Sequence, residues 1–212
     1  MPQLASLQLA ISNYQSPMTK IALFGTSADP PTSGHQAIIN WLSQQFDWVA
    51  VWASDNPFKS HQTPLEHRHT MLRLLISEID PPRHNISLHP ELSSPRTLET
   101  VTKAHAAWHD AELTLIVGSD LVKQLPRWYR VEELLRQVDL LVVPRSGYLV
   151  EDSSLEALRR LGGKIAIADF NPPDVSSTAY RERQDPTSLT TTVKNYIHQT
   201  QLYECQDAVP KR

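Results

Sequence analysis

Lys20-Ile-Ala-Leu-Phe24 runs straight into Gly25-Thr-Ser-Ala-Asp-Pro-Pro-Thr-Ser-Gly-His35, and an amphipathic segment over 36–46 follows. A short apolar run that stops at a glycine reads as a buried strand. The Pro-, Ser- and Thr-rich stretch after it reads as a tight loop, and Gly34-His35 opens a helix. Strand, loop and helix N-terminus in that order bring Thr32 and His35 to one spot. Unpaired N–H groups and the dipole at a helix start favour phosphate there. Neither common phosphate loop is present, because the three-glycine dinucleotide fingerprint and the Gly-Lys-Ser/Thr loop are both missing. The stretch therefore predicts a phosphate site of another kind.

Outward from this unit the same alternation continues. Trp48-Val-Ala-Val-Trp-Ala53 is a second apolar run of buried-strand type, and 54–63 is polar and broken by proline. Helical spacing predicts a helix over 65–79, closed by Pro81-Pro82. A short strand is expected over 86–89, then a helix over 97–109 with Pro95 in its first turn. Leu113-Thr-Leu-Ile-Val117 is the clearest strand and is closed by Gly118. Helix 134–137, strand 140–143, helix 155–161 stopped by Gly162-Gly163, and strand 164–168 follow. A helix capped by Ser176 or Ser177 and a last helix over 189–203 complete the pattern. Strands alternating with helices predict an α/β fold around a mainly parallel sheet. Ligands bind such sheets at the carboxyl ends of the strands. Each chemically interesting cluster here follows a strand: 25–35, 56–59, 118–120, Arg145 and 174–181.

The composition narrows the setting. With 212 residues and a formal net charge of −3, one domain is expected, without general attraction to nucleic acid or anionic membrane. Cys205 is the single cysteine, so no internal disulfide framework exists and a reducing, cytoplasmic setting is expected. No apolar run reaches the roughly 20 residues of a membrane span. Residues 1–17 read as a flexible arm, or as lying upstream of a start at Met18; residues 18–205 read as the domain and 206–212 as a tail. The histidines other than His35 show no paired metal-ligand spacing, so they are expected to be solvated and zinc is not expected.

Thr32-Ser-Gly-His35 and Val175-Ser-Ser-Thr-Ala-Tyr-Arg181 carry a resemblance. The chain resembles the bacterial nicotinate mononucleotide adenylyltransferases, nucleotidyltransferases marked by (His/Thr)-x-Gly-His and by Ile-Ser-Ser-Thr-x-x-Arg. Ile116-Val-Gly-Ser-Asp120, Pro126-Arg-Trp-Tyr129 and Val142-Val-Pro-Arg-Ser-Gly-Tyr148 resemble further family segments in the expected order, and the likeness runs from Lys20 to Tyr203. It implies a Rossmann-like, doubly wound sheet with helices on both faces and a small helical region at the carboxyl end. It implies transfer of AMP from ATP to nicotinate mononucleotide with release of pyrophosphate, in NAD biosynthesis. The attacking group is already a phosphate anion, so catalysis rests on in-line positioning and charge stabilisation.

The resemblance also assigns roles. His35, Thr32 and Arg181 become the catalytic residues, with His35 and Thr32 as hydrogen-bond donors to the α-phosphate. Gly25, Gly34, Lys59, Gly118, Asp120, Arg145, Ser176, Ser177 and Thr178 line the ATP and its phosphates. Arg96, Thr97 and Trp128 face the mononucleotide, Trp128 by stacking on the pyridine. Mg²⁺ is implied as a cofactor carried by the ATP phosphates, without a dedicated protein site. Bland readings stay open beside these: Asp120 as a helix-start charge, Arg145 as a solvated side chain, Trp128 as packing. ATP and nicotinate mononucleotide are the expected partners, with neither nucleic acid nor membrane; the sequence leaves a homo-oligomer open. The chain departs from the family at Thr26, Ala28 and Pro95-Arg96, and Arg96 is expected to favour the acid form of the pyridine. Two alternatives remain. One is adenylyl transfer to another phosphate acceptor, nicotinamide mononucleotide or phosphopantetheine. The other is a non-catalytic nucleotide-binding regulator.

Overall fold

The computed structural model describes residues 18–55, 62–183 and 185–203. Six parallel strands form one sheet: β1 (Thr19–Thr26), β2 (Trp48–Ala53), β3 (Ile86–Leu88), β4 (Ala111–Gly118), β5 (Asp139–Val143) and β6 (Ile165–Ile167). Their order across the sheet is β3-β2-β1-β4-β5-β6. The chain winds outward from β1 to one edge, returns to β4, and winds to the other edge. The reversal falls between β1 and β4, where a doubly wound sheet opens its crevice.

Residue alternation builds a core on each face. Ile21 and Leu23 of β1 point one way with Ala50, Trp52, Leu113 and Leu115, under α3 (Thr97–Ala107), α4 (Val131–Gln137) and α5 (Asp152–Arg160). Ala22 and Phe24 point the other way with Val49, Val51 and Ile116, under α1 (Ser33–Gln45), α2 (Leu65–Ser77), α6 (Ser177–Arg183) and α7 (Thr191–Thr200). This period of two, with both faces covered by helices, explains why β2 is apolar throughout. The doubly wound α/β architecture thus agrees with the sequence reading, and the sheet is wholly parallel. Among the described residues no helix is long and apolar enough to cross a membrane.

Some boundaries differ from the periodicity. Pro95 lies outside α3, because Arg96, with extended backbone, is the N-cap. The last helix ends at Thr200, where Gln201 adopts a left-handed conformation with φ 53. A left-handed residue ends a helix by turning the chain, and Leu202 and Tyr203 pack back against the second core.

Candidate active site

Thr32 has extended backbone and caps α1. Its backbone N–H donates to His35 Nδ1 at 3.0 Å, and its hydroxyl lies 2.9 Å from the same nitrogen. A backbone N–H can only donate, so Nδ1 is the acceptor and the proton of the neutral ring sits on Nε2. The ring is thereby held in the tautomer that makes Nε2 a donor. Thr32 itself is 0% exposed. The sequence reading gave its hydroxyl to the α-phosphate; in the structure that hydroxyl is enclosed and lies against His35 Nδ1.

The second motif interlocks with this loop across more than half the chain. Ser177 Oγ donates to the Pro30 carbonyl at 2.8 Å, and the Arg181 guanidinium donates to the Asp29 carbonyl and, at 3.4 Å, to Thr178 Oγ1. Ser176 Oγ accepts from the N–H of Ala179 at 3.1 Å and so caps α6. Gly34 makes the approach of the two segments feasible: a Cβ there would stand 3.0 Å from Val175 Cγ2 and 3.4 Å from the Pro173 carbonyl. Trp41 of α1 stacks on Phe170 with ring centroids 5.3 Å apart, which holds the incoming segment over the same helix.

The glycines expected to face phosphate have structural partners. A Cβ on Gly25 would lie 2.5 Å from the Trp52 indole, so the core ring of the neighbouring strand already requires its bareness. A Cβ on Gly118 would meet Asp120 Oδ1 at 2.4 Å, because the carboxylate folds back over the end of β4. Asp120 Oδ2 then pairs with Arg145 Nη1 at 2.9 Å, and the Arg145 N–H donates to Ser119 Oγ at 2.9 Å. The ends of β4 and β5 are joined in this way, and Asp120 and Arg145 form a wall beside the β1–β4 reversal.

The family model described as cytidylyltransferase-like matches residues 23–183. Over 197 residues the chain is 41% identical to a probable nicotinate-nucleotide adenylyltransferase of Synechocystis sp., covering 87% of this chain and 98% of that relative. It is 31% identical over 199 residues to the nicotinate-nucleotide adenylyltransferase of Bacillus subtilis, covering 88% and 100%. The chain belongs to the nicotinate-nucleotide adenylyltransferase family. The fold agrees as well. Plasmodium falciparum nicotinic acid mononucleotide adenylyltransferase, solved in complex with NaAD, matches with a TM-score of 0.73 over 87% of this chain and 97% of that one, at 19% identity.

On the side of this adenylyltransferase fold away from the Asp120–Arg145 wall, Arg96 and Thr97 start α3 beside the end of β2, where Ser93 Oγ donates to the Ala53 carbonyl at 2.9 Å. The Arg96 guanidinium lies 4.3 Å from the centroid of the Tyr129 ring and 3.6 Å from Glu99. Trp128 is half-buried against the α3–α5 core, while Tyr129 is exposed. The sequence reading chose Trp128 and passed over Tyr129. Lys59 lies outside the described residues. Among the described residues no cluster of three or more His, Cys, Asp or Glu could hold a metal ion.

Two buried charged residues also went unread. Asp29, 5% exposed, accepts from the Tyr203 hydroxyl at 2.5 Å and from the Thr63 N–H at 3.4 Å. Arg68 of α2, 2% exposed, donates to the carbonyls of Ser27 at 2.9 Å, Ser54 at 2.8 Å and Thr63 at 2.7 Å. Burial lowers its pKa from the ordinary arginine value, opposed by the charges of Asp29 and Asp55. Asp-Pro-Pro in the loop was a signal for Asp29; Arg68 sits in a stretch that reads as a polar helix face. The solvated reading of the other histidines holds for His84, His109 and His198, which are exposed, and is corrected for three others. His69 is buried on α2, His67 Nδ1 lies 2.7 Å from the Tyr196 hydroxyl, and His89 bridges Ser87 at 2.6 Å and Glu91 at 2.7 Å. These imidazoles serve packing and hydrogen bonding between elements.

Proposed function

We propose that the crevice between β1 and β4 binds ATP beside nicotinate mononucleotide and transfers the adenylyl group between them, as the family's name describes. A phosphate oxygen of the mononucleotide attacks the α-phosphorus, the bond to the bridging oxygen of the β-phosphate breaks, and pyrophosphate leaves. The products are nicotinate adenine dinucleotide and pyrophosphate, so the reaction belongs to NAD biosynthesis. No protein nucleophile and no strong base are needed, because the acceptor arrives as an anion.

The observation that carries this reading is the interlock of Thr32–His35 with Ser177 and Arg181, with His35 held as an Nε2 donor. His35 donates to the α-phosphate as charge gathers there. Arg181, anchored on the Asp29 carbonyl, directs its charge to the β- and γ-phosphates, with Gly34, Ser176 and Thr178 beside it. Gly118, Asp120 and Arg145 hold the nucleoside, with Gly25 below them. Lys59, six residues after β2 in the sequence, adds positive charge. Mg²⁺ carried by the ATP phosphates would neutralise part of their charge; Asp29 and Asp120, already engaged by protein groups, fit an ion held mainly by substrate oxygens.

At the acceptor end, Trp128 stacks on the pyridine with Thr97 beside it. Arg96, laid over Tyr129, offers a guanidinium to the nicotinate carboxylate and favours the acid over the amide. We take residues 18–205 as one catalytic domain acting in the cytoplasm; the single sheet that bears every crevice loop and the lone cysteine support this. The test is pyrophosphate release from ATP with nicotinate mononucleotide, nicotinamide mononucleotide or phosphopantetheine. Nicotinate mononucleotide should give the highest kcat/KM, and Arg96→Tyr should narrow the acid-to-amide ratio. Faster turnover of phosphopantetheine, or no release with any acceptor, would overturn the assignment.

A further inference from the structure

We propose that Tyr203, beyond the end of the last helix, is a positioning residue that sets the geometry of His35 through Asp29; this rests on the adenylyl-transfer reading above. Three elements of the site converge on its side chain. The hydroxyl donates to Asp29 Oδ1 at 2.5 Å, 174 residues away in the chain. The same hydroxyl interacts with the Thr63 side chain, immediately before α2, while the Thr63 N–H donates to the other Asp29 oxygen at 3.4 Å. The ring meets Tyr180 of α6 edge-on, with centroids 6.0 Å apart, and Tyr180 adjoins Arg181.

Uncommon backbone conformations occur at Tyr203 and at Ala28, the residue before Asp29. Ala28 has φ 47 and Tyr203 has φ 64, left-handed values that residues with a Cβ adopt when their surroundings hold them there. Ala28 is fully buried and Asp29 nearly so, so no water replaces a lost partner easily. From Asp29 the chain passes through Pro30 and Pro31, whose rings fix φ, directly to Thr32. Thr32 in turn holds His35 Nδ1 at 3.0 Å. A displacement at Asp29 therefore has little freedom to dissipate before it reaches the imidazole. The Tyr203 phenol is well placed to remain a donor: burial, and then the hydrogen bond to Asp29, push its pKa well above the ordinary tyrosine value.

The hydroxyl can be removed while the ring is kept. Tyr203→Phe should lower kcat by roughly ten- to a hundredfold, the scale set by small misplacements of a catalytic group, with KM for both substrates within about twofold. Incorporation of 3-fluorotyrosine at 203, which retains the donor, should restore turnover to within about twofold of the natural enzyme. The ¹⁵N resonances of the His35 ring, recorded without substrate, should shift in Tyr203→Phe and return in the fluorotyrosine protein. That readout does not depend on which acceptor the enzyme uses, so it separates this inference from the acceptor assignment. An unchanged kcat in Tyr203→Phe, unmoved His35 resonances, or a loss that fluorotyrosine fails to restore would each overturn it.

Discussion

At His35 the balance is between two contacts on one nitrogen, the Thr32 N–H at 3.0 Å and the Thr32 hydroxyl at 2.9 Å. The backbone contact alone fixes Nδ1 as acceptor, so the hydroxyl adds restraint without choosing the tautomer. The two residues should therefore differ in what their loss does. If His35 is the donor proposed above, His35→Ala removes it, and kcat should fall at least about 100-fold. Thr32→Val keeps the backbone N–H and removes only the hydroxyl, so its loss should be about tenfold or less, with Thr32→Ser close to normal. Steady-state kinetics on all three variants, with thermal melts to exclude misfolding, decides the matter. If Thr32→Val proved as damaging as His35→Ala, the hydroxyl would be acting on phosphate rather than on the ring.

Among the elements, α2 links the crevice loops to the second core. Met71, Leu72 and Leu75 bury one stripe of the helix, while Arg68 near its start reaches carbonyls that follow β1 and β2. Those carbonyls lie just past the strand ends, where the guanidinium donates to them. Arg68→Met would take this donor from three part-buried carbonyls. A stability loss of about 3 kcal/mol or more is expected, from roughly 1–3 kcal/mol per abandoned group with partial relaxation. Arg68→Lys should rescue only part of it, since a point charge cannot match a planar fork. Denaturant titration gives the numbers, and a change under about 1 kcal/mol in Arg68→Met would refute the role. Strands and helices were legible because burial writes its period into the chain: the run Trp48–Ala53 is the observed β2 to the residue. Thr32–His35 and Ser176–Arg181 were picked out by residue types that match phosphate chemistry, and the structure brings the 176–181 segment against the loop that leads to Thr32. Arg68, Asp29 and Tyr203 were not, because each is defined by a partner distant in sequence. A polar letter in a helix shows neither its burial nor the carbonyl it meets.

Over the whole molecule, the two-faced sheet makes the α2 side answerable for both stability and site geometry, and His69 makes that side sensitive to acid. His69 is 9% exposed, next to Arg68, and its Nε2 has no hydrogen-bond partner among the described residues. Burial, then the charges of Arg68 and Arg73, lower its pKa from the ordinary 6.5, with Glu91 opposing. The sign follows from proton counts. Well above 6.5 the folded and unfolded chains both carry a neutral ring, and His69 has no effect on the pH dependence. As the pH falls through 6.5 the unfolded chain binds a proton that the folded chain refuses, so stability declines until the lowered folded value is reached. His69→Leu removes that titration and replaces an unsatisfied ring nitrogen with apolar surface. The drop in Tm between about pH 8 and about pH 5.5, on either side of the unfolded value, should be smaller in His69→Leu than in the natural chain. Equal drops in the two proteins would mean that His69 takes up its proton in the folded state as readily as in the unfolded one. Arg68 supplies an independent check, because it is the nearest charge opposing that proton. In Arg68→Met the burial contribution remains while this repulsion is gone, so the acid-induced loss from His69 should narrow without vanishing.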